Sequence, residues 1–495
     1  MRRVYLIVIV AIAVGMGLRI AAGGTRLLWN DEAETTINSL QILDHGYPSS
    51  TYKGKALYEN AVYIPSDDPK YAYESTNYYG TKFERNKGWL TYYYQAPFLK
   101  LFGFSTTSAR LPFVLLSGVT ILLIFVLGRK LFTPMAGAIA ASLYAINYFS
   151  IWYEMQARYY SLLATLAVLF LYSSYRSVTD GKWRSYLLAL LSLVLLFYTH
   201  LVAFIAAALF FVCAHTFKAR TIRSVVSTKI AVTVVGIAIT VIPWILVVRL
   251  WEVPKSFSDY SLVMYWSIIL VLIGAGIVAV LRYTRNLIEY SFSRFTAVNY
   301  LLLYCVVVTV LKPFLTPDES FGARTFIELN PIFCILGGTL VTQFMDRQWR
   351  QRASALLFPC IFLVCTFAFF NVGMTRTAPV SVDAGWVRSS IAALDRMSVS
   401  ATTPVFVSFQ QFPFMLYSDY NIDLVWPIRT SYLDSYPNRL IMILDHRMLW
   451  PRIFYRRELL PMREYNFAQR LKRCTAQQVI PEVVLYDCPA LRPAN

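Results

Sequence analysis

Long uninterrupted apolar runs constrain the fold of this chain more than any other feature of the sequence. A run of about 18 or more apolar residues can cross the hydrocarbon core of a bilayer as a helix. Because water is absent from that core, the backbone must satisfy its hydrogen bonds within the segment, which favours helix. Only 15% of the 495 residues are charged, against about 25% in a soluble domain. The sequence therefore predicts an all-α polytopic membrane protein.

Eleven apolar runs are predicted to be transmembrane helices. They occupy residues 4–22, 111–127, 134–149, 160–175, 186–198, 202–217, 230–248, 264–281, 296–311, 326–344 and 353–370. Arg2, Arg3 and the small residues after the first run resemble a signal peptide, but the length of the run favours an uncleaved helix. A polar, tyrosine-rich outer loop at 23–105 separates the first two runs.

The basic residues predict the topology. The formal charge of +18 falls largely in every second loop, as the positive-inside rule requires. This placement predicts a multi-pass protein of the inner (plasma) membrane with a cytoplasmic N-terminus and an extracytoplasmic C-terminus. It also argues against a nucleic-acid partner. The basic residues of these loops are Arg129, Lys130, Arg176, Lys182, Arg184, Lys218, Arg220, Arg223, Lys229, Arg282, Arg285, Arg294, Arg347, Arg350 and Arg352.

The last part of the chain differs from the rest. Short β-rich runs alternate with helical stretches from about residue 371, which predicts a small extracytoplasmic α/β domain. We therefore predict a membrane catalytic domain at 1–370, including the outer loop, and an α/β domain at 371–495. Cys474 and Cys488 lie in this tail; they can form a disulfide if it is extracytoplasmic, and free thiols are the alternative. The chain has no nucleotide-binding fingerprint, so sugar nucleotides are not expected substrates.

Two adjacent carboxylates, Asp31 and Glu32, follow the first apolar run. Sugar transfer with inversion needs a carboxylate that removes or orients the proton of the acceptor hydroxyl. A carboxylate at the solvated N-cap of a helix is the structural alternative for this pair.

A series of short motifs follows this acidic pair in a characteristic order. They are Lys87-Gly88-Trp89-Leu90-Thr91-Tyr92-Tyr93-Tyr94-Gln95-Ala96-Pro97, Leu101-Phe102-Gly103, Ser108-Ala109-Arg110-Leu111-Pro112, Gly128-Arg129-Lys130-Leu131-Phe132, Gln156-Ala157-Arg158-Tyr159-Tyr160 and Tyr198-Thr199-His200. Their order over residues 25–345 resembles the GT-C membrane glycosyltransferases, and most closely the family of protein O-mannosyltransferases and lipid A aminoarabinose transferases. Two departures concern the first loop: Gly88-Trp89-Leu90-Thr91 stands where relatives often have His-Pro-Pro, and Glu34 stands where an arginine often follows the acidic pair.

The resemblance implies a GT-C fold and a donor sugar carried on a polyprenyl phosphate, with transfer at the outer membrane face to a glycan, lipid or protein acceptor. By that analogy Asp31 is the catalytic carboxylate, and Glu32 shapes the site or helps to hold a divalent metal where a member uses one. The residues independently suggest how the departing phosphate is held, because the arginine fork suits phosphate. The candidate phosphate ligands are Arg158, Arg324 and His200, with Lys53 and Lys87 as weaker candidates.

Each candidate ligand has a structural alternative. Arg158 and Arg324 could instead extend to the membrane interface, and His200 could form an interfacial hydrogen bond. Glu154 precedes Arg158 by four residues, a spacing at which two helical side chains pair; it and Tyr159 are candidate accessory residues. A transporter or lipid flippase is the first rival function, although the sequence shows no internal repeat. A non-catalytic membrane anchor for the C-terminal domain is the second.

Overall fold

The structure is a computed structural model. It describes residues 2–24, 26–57, 83–84, 88–218, 228–248, 297–315, 323–345, 384–407, 411–424, 438–445, 471–481 and 483–490. The chain divides into two compact units. The membrane unit comprises the described residues of 1–24, 87–94 and 107–377, and the loop-sheet unit comprises those of 25–86, 95–106 and 378–495. Each unit is described by itself.

Apolar helices build the membrane unit. Nine of the eleven predicted apolar runs lie in described residues and are helical, whereas runs 264–281 and 353–370 lie outside them. The helices are α1 (Arg2–Gly23), α4 (Thr106–Leu131), α5 (Pro134–Ile146), α6 (Tyr148–Glu154), α7 (Tyr160–Asp180), α8 (Trp183–Phe197), α9 (Leu201–Lys218), α10 (Thr228–Val248), α11 (Ala297–Leu315) and α12 (Asn330–Met345). A 3-10 segment, Ala323–Leu329, precedes α12.

The lengths and apolar character of these helices make the chain a multi-pass membrane protein. Among the described residues, α1, α4, α7 and α10 are each long and apolar enough to cross a bilayer. The predicted run 134–149 is broken at Asn147, where α5 and α6 meet at 61°. Asn147 has extended backbone, and its side-chain oxygen accepts a hydrogen bond from the backbone N–H of Ser150. This cap begins a new helix, so one predicted run became two helices.

Basic residues mark one end of the membrane unit. Arg129, near the end of α4, donates to the hydroxyl of Tyr5, near the start of α1. At the other end of the same two helices, Arg110 donates to the carbonyl of Gly23. The two helices are therefore antiparallel. Lys229, at the start of α10, donates to the carbonyl of Gly181 just after α7. Arg129, Arg176 and Lys229, three basic residues of the predicted cytoplasmic loops, therefore lie close to helix ends.

The loop-sheet unit combines the predicted outer loop with the C-terminal segment. Its loop part holds α2 (Asn30–His45) and a hairpin of β1 (Thr51–Tyr52) and β2 (Lys55–Ala56), and α3 (Leu90–Phe102) contributes residues from 95 onward. The C-terminal part contains α13 (Gly385–Arg396), α14 (Gln411–Tyr417) and a five-stranded sheet. The strands are β3 (Pro404–Val407), β4 (Asn421–Leu424), β5 (Leu440–Asp445), β6 (Thr475–Ile480) and β7 (Val483–Cys488).

The sheet is mixed, in the order β4-β3-β5-β7-β6. Strand β3 pairs in parallel with β4 and β5, while β7 pairs antiparallel with β5 and β6. The central strands β3 and β5 are continuous apolar runs with fully buried side chains such as Phe406 and Ile441, as expected for strands covered on both faces. A disulfide joins Cys474 to Cys488, the pairing that the sequence left open.

Candidate functional site

The acidic pair lies in the first turn of α2. Glu32 is fully buried, and its carboxylate accepts a hydrogen bond of 3.3 Å from the backbone N–H of Trp29. Trp29, rather than either carboxylate, occupies the N-cap position. Asp31 is partly exposed. Glu32 thus stabilises the start of the helix, and Asp31 is the more exposed carboxylate of the pair.

Helix α2 is unusual because its buried residues are mostly polar. Gln95 accepts from the hydroxyl of Ser39 at 2.7 Å and donates to that of Thr36 at 3.2 Å. At the helix start, the side-chain oxygen of Asn30 accepts from the backbone N–H of Phe412 in α14. Buried polar groups cost free energy unless they are hydrogen-bonded. These bonds to α3 and α14 therefore hold the first turn of α2, and with it the Asp31 backbone, in one position.

Arg158 lies in the membrane unit, in the turn between α6 and α7. The side chain is 6% exposed, and its guanidinium carbon lies 5.4 Å from the centre of the Tyr159 ring. That distance is within the range of a cation–π contact. The Tyr159 ring in turn lies 5.0 Å from the ring of His200. Arg158, Tyr159 and His200, three of the predicted site residues, therefore form one cluster.

His200 lies in the short turn between α8 and α9. Its Nδ1 accepts a hydrogen bond of 3.2 Å from the backbone N–H of Ala203. Burial, followed by the positive charges of Lys312 and Arg158, lowers the pKa of the His200 imidazole from 6.5 to about 3. The ring is therefore neutral near pH 7, and because Nδ1 is an acceptor its proton is on Nε2. His200 can donate one hydrogen bond to an anion, but it brings no positive charge.

Lys312 is a further cation near this cluster. Its ammonium lies 2.5 Å from a carboxylate oxygen of Glu328, and both side chains are fully buried. Its charge acts on His200, so Lys312, Arg158 and His200 lie near one another. Sequence analysis missed Lys312 because it lies at the end of an apolar run, although a cation inside such a run is itself a signal of function.

Glu154 does not pair with Arg158. Its carboxylate instead accepts hydrogen bonds of 2.9 and 2.8 Å from Arg19 in α1 and one of 2.8 Å from the hydroxyl of Tyr144. Of the two alternatives that the sequence left for Glu154, pairing with Arg158 does not occur, because α6 ends at Glu154 and no continuous helix joins the two residues. The accessory role stays a prediction. Arg19 was a second missed signal, a cation in the first apolar run.

Lys53, Arg324 and Lys87 are the remaining candidate phosphate ligands. Lys53 lies in the loop-sheet unit and is exposed. Its ammonium lies 2.7 Å from the carboxylate of Asp419, and this hydrogen bond lowers the pKa of the Asp419 carboxyl. The backbone of Arg324 lies in the 3-10 segment, and its side chain lies outside the description. Lys87 lies outside the described residues.

A metal ligand set would need several acidic, histidine or cysteine side chains in one place. Within the part of the chain that the structure describes, no group of three or more such side chains occurs. Glu32, for which the resemblance implies either a role in shaping the site or help in holding a metal, accepts a hydrogen bond from the backbone N–H of Trp29.

Comparisons with known proteins agree with this architecture. Residues 86–246 match the family model of dolichyl-phosphate-mannose-protein mannosyltransferases. The structure is similar to that of ArnT from Cupriavidus metallidurans bound to undecaprenyl phosphate, with a TM-score of 0.58, 13% identity and coverage of 97% of both chains. No curated protein gives a significant match.

The likeness extends to an archaeal enzyme. The Archaeoglobus fulgidus oligosaccharyltransferase in complex with Zn and sulfate matches with a TM-score of 0.56 and 13% identity over 92% of this chain and 70% of that chain. AglB from the same organism, in complex with an inhibitory peptide and a dolichol-phosphate, matches with a TM-score of 0.53 and 12% identity over 96% and 72%. The predicted resemblance to GT-C membrane glycosyltransferases is confirmed, and the chain has their fold.

Proposed function

We propose that this protein is an inverting glycosyltransferase that moves a sugar from a polyprenyl-phosphate donor to an acceptor hydroxyl at the outer face of the membrane. The observation that carries the proposal is the cluster of Arg158, Tyr159 and His200, with Lys312 nearby, inside a GT-C fold. The planar guanidinium fork of Arg158 suits a phosphate, and the neutral imidazole of His200 can donate one hydrogen bond to it. Two proteins of similar fold were solved with undecaprenyl phosphate and dolichol-phosphate.

The proposal gives each part of the site a role. Arg158, and Arg324 from the 3-10 segment, hold the phosphate as its negative charge develops. Neutral His200 donates one hydrogen bond to it through Nε2. Tyr159 orients both Arg158 and His200. Asp31 removes the proton from the acceptor hydroxyl, which attacks the anomeric carbon while the polyprenyl phosphate leaves. Glu32 supports Asp31 through the start of α2.

The proposed topology has eleven spans, a cytoplasmic N-terminus and an extracytoplasmic α/β domain. The basic helix ends, joined by contacts such as Arg129 to Tyr5, support a cytoplasmic side by the positive-inside rule. The disulfide between Cys474 and Cys488 supports an extracytoplasmic tail, since disulfides persist in oxidising compartments. In a bacterial cell this arrangement corresponds to the inner membrane.

Replacing Asp31 tests the proposal most directly. We expect Asp31→Asn to lower the rate of sugar transfer about 100-fold or more, because the general base is lost, without loss of folded protein. The assay uses purified protein in nanodiscs with radiolabelled sugars on undecaprenyl phosphate. Asp44→Asn is the matched control, since Asp44 is an exposed carboxylate near the other end of the same helix. Normal turnover by Asp31→Asn would refute the assignment of the base.

The same material separates the enzyme from its rivals. A flippase would move labelled undecaprenyl-phosphate sugar across a vesicle membrane without cleaving the bond between sugar and phosphate. In that case neither the wild-type protein nor Asp31→Asn would cleave this bond. A non-catalytic anchor would do neither. Release of undecaprenyl phosphate by the wild-type protein in the presence of acceptor distinguishes transfer from both alternatives.

A further inference from the structure

The break between α5 and α6 leaves backbone carbonyls without their helical partners. The last four backbone carbonyls of a helix have no N–H partner within that helix. In the apolar core of a membrane, each carbonyl left without a hydrogen bond costs free energy. The carbonyl of Ala145, in the last turn of α5, is satisfied from another helix, because Arg19 of α1 donates to it at 3.0 Å. The break is therefore supported by a side chain far away in the sequence.

Arg19 makes four hydrogen bonds and has no exposed surface. Besides Ala145, it donates to the carbonyl of Gly15 at 2.9 Å and twice to the carboxylate of Glu154. Gly15 permits this approach of α1 to α5, since a Cβ there would lie 2.6 Å from Ile121 and 3.1 Å from the Cβ of Ala145. One guanidinium thus binds the end of α5 and the end of α6 at the same time.

Glu154 connects the hydrogen bonds of Arg19 to the turn that carries Arg158. It is the last residue of α6, and the chain then turns through residues 155–159 into α7. The carbonyl of Glu154 accepts a hydrogen bond of 3.2 Å from the hydroxyl of Ser161, in the first turn of α7. Within the turn, the backbone N–H of Arg158 donates to the carbonyl of Gln156. Glu154 therefore precedes the turn in the chain and also holds Ser161, just after the turn, by a hydrogen bond.

We propose that Arg19 and Glu154 form a positioning pair that holds the turn 155–159, so that the guanidinium of Arg158 is preorganised for the phosphate of the lipid carrier. This inference rests on the proposed function. Neither residue touches the phosphate. Their effect passes through the backbone of the turn, as expected for groups that orient a ligand-binding side chain.

The test measures binding of undecaprenyl phosphate to the protein in nanodiscs. We expect Arg19→Gln and Glu154→Gln each to raise the Kd about tenfold or more, and Arg158→Gln to raise it as well. The double variant Arg19→Gln/Arg158→Gln should have the same Kd as Arg158→Gln alone, because Arg19 affects binding only through Arg158. A merely structural role would instead give independent, additive losses, and such additivity would overturn the inference.

Controls keep the outcome interpretable. Arg176→Gln breaks a partly exposed ion pair with Asp180 in the same unit and should leave the Kd unchanged. If either single variant fails to fold, Arg19→Met/Glu154→Met removes both charges, a change that folded proteins often tolerate; a folded double variant with wild-type Kd contradicts the inference. Wild-type protein that binds no undecaprenyl phosphate would overturn the proposed function and the pair's role with it, whereas wild-type binding with unchanged Kd in the variants would overturn the pair alone.

Discussion

The two ends of the membrane unit use the same kinds of residue in opposite ways. At one end Arg129 and Arg176 keep contact with solvent, and their partners are the hydroxyl of Tyr5 and the carboxylate of Asp180. At the other end Arg158 and Lys312 are buried. Arg158 contacts the ring of Tyr159, and Lys312 contacts the buried carboxylate of Glu328. The cations at the first end indicate the topology of the chain, since a charge that stays in solvent contributes little to the free energy of folding.

The buried cations at the second end differ from the exposed ones in what they require. A charge removed from water must be compensated by a counter-ion or a ligand, as Glu328 compensates Lys312. In a chain with 46 basic residues, burial therefore distinguishes the few cations for which we propose a function from the many that lie at exposed helix ends. Three changes test this comparison.

The largest effect is expected at the buried ion pair. Lys312→Met should lower thermal stability by an amount equivalent to about 3–5 kcal/mol, because Glu328 would remain buried without its counter-ion. Heat denaturation of the protein in nanodiscs measures the change. Lys229→Met is the matched control at the partly exposed end. The double variant Lys312→Met/Glu328→Met should recover most of the loss, so a double variant less stable than the single one would contradict this account.

A smaller effect is expected from the pH dependence of His200. Its pKa is lowered to about 3 in the folded protein, below the ordinary 6.5 of an unfolded chain. Between these values the unfolded state binds more protons, so this residue favours unfolding increasingly as the pH falls from 6.5 towards 3. On acidification from pH 7 to 5.5, His200→Gln should therefore lose less stability than the wild type, by on the order of 1 kcal/mol.

Melting temperatures of the two proteins across this range measure the difference. Parallel pH profiles for wild type and His200→Gln would mean that His200 titrates normally, and that the cations near it do not act on it. His45, which is exposed at the end of α2, provides the control substitution.

The smallest effect is expected at the exposed end. Arg176→Gln should change stability by less than about 1 kcal/mol, since a partly exposed ion pair at a spacing of four contributes little. Comparing the melting temperatures of Arg176→Gln and wild type at low and high salt measures it. A loss as large as that of Lys312→Met would erase the distinction between the two ends.

Much of the membrane architecture was predictable from the sequence because its causes are local. An apolar run must be helical in a bilayer whatever lies beside it, and the described runs are helical. The order of motifs also predicted the GT-C fold, and the Arg158, Tyr159 and His200 cluster contains three of the predicted site residues. The break at Asn147 was not predicted, because the run 134–149 is apolar on both sides of it and only the contacts of Asn147 reveal a cap.

The sequence by itself determined which segments are apolar helices and which residues are candidates for sugar transfer, because hydrophobic run length and side-chain type are local properties. Only the tertiary structure decided the partners. Glu154 pairs with Arg19, 135 residues away, and Glu32 rather than Asp31 is buried. Spacing along the chain carries no record of such contacts, since the free energy of a charge depends on the groups and the solvent that surround it after folding.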